Sequence, residues 1–344
     1  MNANGREWIG VLLAFIRGCI FIDEMKFRLF SENRFAVSLI LFGLFAGAAA
    51  RALDERDEAP QPATNSVVVP SEFRRGRVMV RARVNDSEPL LFMLDSRFTI
   101  SMISPEQVSA LALTRTGKIT IVGVAGEEPA DVFGGVTFDF GGNLKYSPRR
   151  VASLASHSRR IVRRDGVLGE GFYRQFTIEI DHRAKSVVVH QPDTFEYKGS
   201  GEVVPLQFRR GTPVLRASIL FSNQPPVSGE FEIDTGCDGG LCLGHDFVEQ
   251  NGLEAKIASS ERSARVGVGG GVRTREVRLP QVQIGKLIIE RPTADFFEKG
   301  SPAGEGLAGH IGVEVLRQFR VIFDYPHRRM IFERPEAVRR GNRE

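Results

Sequence analysis

The sequence predicts an all-β protein built from two copies of one unit. Three observations carry this reading. Short runs rich in Val, Ile and Phe recur along the chain, many alternating apolar with polar residues and bounded by Gly, Pro, Asn or Asp, as half-buried strands are. Helical signals are few and short. Three sequence landmarks return in the same order at nearly constant spacing, the mark of an internal repeat. A chain of 344 residues has room for two such units.

The N-terminus is read first. Residues 25–52 hold a basic stretch with Lys26, Arg28 and Arg34, an apolar run from Phe35 to Ala46, and small residues at Ala48-Ala49-Ala50 and Ala50-Arg51-Ala52. That is the order of a secretory signal peptide, and the run is shorter than the roughly 18–20 residues that span a bilayer. Residues 1–52 are therefore expected to be an export segment, with Met25 an alternative start. The mature protein is expected in the periplasm or outside the cell, or tethered to a membrane if the segment stays uncleaved. Residues 53–72 are charged and proline-bearing, and read as a flexible leader.

Two repeats follow, at 73–195 and 200–335, and a basic tail at 336–344. Phe92-Met93-Leu94-Asp95-Ser96-Arg97 matches Phe231-Glu232-Ile233-Asp234-Thr235-Gly236, 139 residues on. Val122-Gly123-Val124-Ala125-Gly126 matches Val266-Gly267-Val268-Gly269-Gly270, 144 residues on. Gly166-Val167-Leu168-Gly169 matches Gly309-His310-Ile311-Gly312, 143 residues on, and each precedes an Arg-Gln-Phe strand. Strands are expected at Arg77–Val84, Ile119–Val124, Thr177–Ile180, Ser186–Val189, Val203–Phe208, Val214–Phe221 and Arg320–Phe323. A short helix is expected after Ser104, with serine as cap and Pro105 in the first turn, and another at Gly244–Asn251. Pro192, Asp193, Gly199, Ser200 and Gly201 mark the boundary between repeats.

Several function classes are excluded. The net charge is only +4, and the densest basic stretch, Ser158 to Arg164, has no aromatic platform, so it reads as a solvated loop and no nucleic-acid partner is expected. Three cysteines rule out a disulfide scaffold and a four-cysteine zinc ribbon, and no His-Glu-x-x-His pair is present. The stretch from Asp234 to His245 lacks the acids of a calcium loop, and Val266–Gly271 lacks the lysine of a phosphate loop. No metal or cofactor is expected. Cys237 reads as a small packing residue, and Cys237 and Cys242 are expected to be held too far apart to bridge. His310 reads as a turn histidine.

The chemistry concentrates at Asp234-Thr235-Gly236, placed directly after an apolar strand and repeated in altered form at Asp95-Ser96-Arg97. With the later apolar-apolar-Gly segments, this constellation resembles the aspartic proteases, most closely the bacterial retropepsin-like aspartyl protease family. The resemblance covers residues 73–335. It implies two acid-protease lobes, each giving one aspartate to a shared site, and an exported endopeptidase that is monomeric with an internal pseudo-twofold axis. Asp95 and Asp234 would share a proton and activate water. Ser96 and Thr235 would brace the two loops, and Gly236 would allow close approach. Gly123, Gly126, Gly267, Gly269 and Gly270 would belong to flaps closing over an extended peptide or protein substrate. Arg97 departs from the pattern, which has glycine there. It is expected to clash where the lobes meet unless it swings out to solvent, or to pair with Asp95 or Asp234. The alternative function is a protease-fold module that binds peptides without cutting them.

Overall fold

The computed structural model describes residues 66–154, 164–209, 212–257 and 259–334. These lie in one compact unit, Pro62–Glu344. The export segment, residues 53–65, residues 158–163 of the basic stretch and the tail at 336–344 lie outside the described residues.

The duplication is visible as topology. In the first repeat the strand order is Arg115–Gly123, Gly126–Phe133, Val151–Leu154, Met102–Ile103, Gly166–Leu168, Leu90–Leu94, Arg77–Val84, Phe138–Asp139, Lys145–Tyr146, with Ser71–Arg74 pairing Arg77–Val84. In the second it is Ser260–Gly267, Gly270–Arg278, Thr293–Phe297, Leu241–Leu243, Gly309–Ile311, Val227–Ile233, Thr212–Leu220, Gln281–Ile284, Leu287–Glu290, with Gln207–Arg209 pairing Thr212–Leu220. The two curled ten-stranded sheets thus follow the same path strand for strand. Alternation supplies the reason. In Thr212–Leu220, Leu215, Ala217 and Ile219 share one buried face while Arg216 on the other is exposed, so one face makes a core.

A third sheet joins the repeats. Its six strands run in the order Ser66–Val68, Ser186–His190, Thr177–Asp181, Arg320–Asp324, Arg329–Glu333, Glu202–Pro205. At its centre Thr177–Asp181 pairs antiparallel with its own counterpart, Arg320–Asp324. Ile178, Ile180, Val321 and Phe323 are buried there, and the central pairing places the pseudo-twofold axis between the two strands.

Two details differ from the sequence reading, and the helices follow it. Ser66–Val68, inside the stretch read as a leader, and Ser71–Arg74, across its end, are strands. The first pairs with Ser186–His190 and is followed by the buried Val69, a tertiary partner that local patterning does not reveal. Val203–Phe208 is two strands, because Glu202–Pro205 pairs with the joining sheet and Gln207–Arg209 with the second lobe. The helices form at Pro105–Ala110 and His245–Gln250, the first capped by Ser104 Oγ accepting the Gln107 N–H at 3.3 Å.

Candidate active site

Each aspartate sits immediately beyond a strand end and is pinned from the same side. Leu90–Leu94 runs parallel to Gly166–Leu168, and the Asp95 N–H donates to the Leu168 carbonyl at 3.0 Å. Val227–Ile233 runs parallel to Gly309–Ile311, and the Asp234 N–H donates to the Ile311 carbonyl at 2.9 Å. The apolar residues of these supporting strands, Val167, Leu168 and Ile311, are buried. The glycines that follow answer to close approach. A Cβ on Gly169 would overlap the Phe98 carbonyl, and one on Gly312 the Gly239 carbonyl. Each aspartate loop is thus packed directly against a backbone that leaves no room for a side chain.

The two loops grip each other across the lobe boundary. Ser96 N–H donates to Thr235 Oγ1 at 2.9 Å, and Thr235 N–H to Ser96 Oγ at 3.2 Å. Each hydroxyl then donates across to the opposite strand end, Ser96 Oγ to the Ile233 carbonyl at 2.6 Å and Thr235 Oγ1 to the Leu94 carbonyl at 3.0 Å. All these groups are buried, so each bond also prevents an unsatisfied polar atom.

The carboxylates are held alike. Asp95 Oδ1 accepts the N–H groups of Arg97 and Phe98, both at 3.1 Å. Asp234 Oδ1 accepts those of Gly236 at 2.9 Å and Cys237 at 3.0 Å. A Cβ on Gly236 would overlap the Asp95 carboxylate, so glycine here allows the two loops to meet. Burial, and then the nearby Asp234 charge, pushes Asp95 up to about 7.

Arg97 neither swings out to solvent nor pairs with Asp95 through its side chain. Its Nε bonds Glu232 Oε2, and its Nη1 lies 3.7 Å from Asp234 Oδ2. Its backbone N–H still does for Asp95 what the Gly236 N–H does for Asp234. Glu232, buried next to the end of its strand, was passed over in the sequence; an acid flanked by Phe231 and Ile233 was the available signal. Two arginines were missed as well. Arg77 Nε donates to the Gly236 carbonyl at 2.9 Å, and its guanidinium lies 3.2 Å from Asp238. Arg164, assigned to a solvated basic loop, is partly buried instead and acts electrostatically on Asp95, because the strand it precedes supports that loop.

The glycine-rich segments are hairpin tips. Gly123 and Gly126 close the hairpin of Arg115–Gly123 and Gly126–Phe133, and Gly267 and Gly270 close that of Ser260–Gly267 and Gly270–Arg278. The tips touch: Ala125 N–H donates to the Val268 carbonyl at 3.2 Å, and Gly269 N–H to Glu128 Oε1 at 3.0 Å. Gly269 has φ +85°, and a Cβ there would overlap the Gly126 backbone.

Two readings around Asp234 are corrected. His310 is a buried strand residue, not a turn residue, and its Nε2 lies 3.7 Å from Asp234 Oδ2. Cys237 and Cys242 are not held apart, since residues 238–240 turn before the strand begins at Leu241, leaving the two sulfurs 3.9 Å from each other. The contact with the Cys242 thiol, with His310 close by, pulls the Cys237 thiol down to about 5.

Two symmetric lobes, a joining six-stranded sheet and one aspartate loop from each lobe define the two-lobe, pepsin-like aspartic proteinase fold. Among solved structures, the chain is similar to the aspartic proteinase from Irpex lacteus, with a TM-score of 0.54 over 79% of this chain and 98% of that one, at 14% identity. No protein-family model matches the chain, so membership of the bacterial retropepsin-like family is not shown. No curated protein matches it either.

Proposed function

We propose that this chain is an aspartic-type endopeptidase in which Asp95 and Asp234 activate water between the lobes. The observation that carries the proposal is the paired, buried presentation of the two carboxylates. Each is oriented through Oδ1 by two backbone N–H groups, and Asp95 is raised to about 7, so the pair retains a proton in mildly acidic solution. The ionised carboxylate takes a proton from water as its oxygen adds to the peptide carbonyl carbon, and the protonated one donates to the carbonyl oxygen. The C–N bond then breaks as the carboxyl group that took the water proton gives it to the departing amine, and the gem-diol hydroxyl returns a proton to the other carboxylate. The touching hairpin tips support a role for Gly123, Gly126, Gly267, Gly269 and Gly270 in covering an extended substrate, which would add as a strand. Both carboxylates lie in one chain, which supports a monomer, and the N-terminal segment supports action after export.

A second reading, a module that binds peptides without cutting them, is favoured by one contact: Arg97 Nη1 at 3.7 Å from Asp234 Oδ2. A fixed cation beside Asp234 occupies one side of the carboxylate that water and substrate would otherwise approach. The Arg97–Glu232 pair opposes this by engaging the guanidinium elsewhere. The test is incubation with an unbiased peptide library from pH 3 to 8, with Asp234→Ala in parallel. Cleavage lost in the variant supports the endopeptidase. No cleavage by wild type, appearing on Arg97→Gly, supports the binding module.

A further inference from the structure

The internal duplication provides its own control, because each residue of the second lobe can be set against its counterpart in the first. Across the first sheet one row of paired positions reads Ala152, Met102, Val167, Met93. All four are buried and apolar, as a sheet face packed on a core requires. The same row in the second sheet reads Asp295, Cys242, His310, Glu232. These four are buried as well, at 0%, 1%, 5% and 4% exposure. One lobe thus fills with polar groups a row that the other fills with Met, Val and Ala, at the cost of desolvating each group.

Two of the four polar residues are paid off by partners. Asp295 accepts from Arg265 Nε and Thr274 Oγ1, both at 2.8 Å, and Glu232 pairs with Arg97. His310 is different: neither ring nitrogen has a hydrogen-bond partner. Beside it are the only two cysteines among the described residues, both free. One ligand atom each from Cys237, Cys242 and His310 lies within 4.8 Å of the others. Two sulfurs bound about 2.3 Å from one tetrahedral zinc stand about 3.8 Å apart. Here they stand 3.9 Å apart.

We propose that Cys237, Cys242 and His310 form a zinc site with two thiolates, one imidazole and a fourth position left for water. The zinc would satisfy the orphaned imidazole and occupy the polar row that the first lobe lacks. The three ligands are set by the fold before the metal arrives. Cys242 and His310 face each other on neighbouring strands, and Cys237 follows the Asp234 turn. The proposal stands whether or not the dyad hydrolyses peptides, although the site adjoins it through the His310–Asp234 approach of 3.7 Å.

The test uses the full-length protein, reduced and stripped of metal, then titrated with Zn²⁺ and separately with Co²⁺. The expected result is one metal per chain, a sulfur-to-cobalt charge-transfer band, and a higher Tm with zinc. Cys242→Ser and His310→Val should each weaken zinc binding by more than about 100-fold. His310→Val is chosen because Val167 holds that position in the first lobe, and circular dichroism checks that it folds. Absence of the sulfur-to-cobalt band in the wild-type protein overturns the proposal without reference to any variant. So does zinc uptake that is unchanged in folded Cys242→Ser or His310→Val. A Cys237–Cys242 disulfide that forms equally fast with and without zinc also overturns it.

Discussion

Asp95 is buried beside a second carboxylate, and its titration should be visible in the stability of the protein. Its folded pKa, about 7, lies above the ordinary 3.8, so the folded state holds its proton more tightly than the unfolded chain does. That contribution is fully present below pH 4 and is lost as pH rises through 7. Asp95→Asn removes the titration while keeping an oxygen for the Arg97 and Phe98 N–H groups. Thermal melts should therefore show the variant gaining on wild type between pH 4 and 7 and holding a lead of roughly 1–4 kcal/mol above it. A constant difference across that range would mean that Asp95 is not raised. At the neighbouring position, Arg97 neutralises the buried Glu232. Arg97→Gly should cost about 3–5 kcal/mol in denaturant unfolding by leaving that buried acid without its cation, with the Gly304 N–H still donating to it. Arg97→Gly with Glu232→Met, the residue found at Met93 in the first lobe, should recover most of the loss. Equal loss in the single and double variants would contradict the pairing.

Among the elements, the aspartate loops and hairpins carry the site. Thr235→Val would leave the Ser96 N–H and the Leu94 carbonyl without their partner, and should destabilise by about 2–4 kcal/mol. Urea unfolding checks this, and a change below the error of the method would deny the grip its part in joining the lobes. At the hairpin tips, Glu128→Ala removes the bond to Gly269 while leaving the core intact. Stability should stay within about 0.5 kcal/mol, and KM for a cleaved peptide should rise roughly 3–10-fold. How legible these elements were follows from what fixes each. The Asp234 loop, the hairpin glycines and the apolar-apolar-Gly segments were readable as motifs, because close backbone approach demands particular residues in a fixed order, although Gly309–Ile311 was not read as a strand. The Arg97–Glu232 pair, the Arg77 contact with Gly236 and the meeting of Cys237, Cys242 and His310 were not. Each depends on side chains far apart in sequence and brought together by sheet register. The strand at Ser66–Val68 was hidden for the same reason, since its partner lies more than a hundred residues on.

At the scale of the whole molecule, duplication explains both the symmetry and its breaking. The repeats share strand order, loop support and the reciprocal Ser96–Thr235 bonds, and were recognisable as copies from three landmarks alone. Their differences gather around Asp234: Arg97 stands in the first repeat where Gly236 stands in the second, and a polar row replaces an apolar one. The account holds that one carboxylate from each lobe acts as a pair, so neither works alone. The most direct measurement is the kcat/KM of wild type, Asp95→Asn and Asp234→Asn on one peptide identified from the library, with folding of each variant verified. The account predicts that both substitutions lower it by at least about 10³-fold, since a shared-proton mechanism needs both carboxyl groups. Retention of near wild-type kcat/KM by Asp95→Asn, with loss in Asp234→Asn, would show that Asp234 works without its counterpart, and would contradict the paired site.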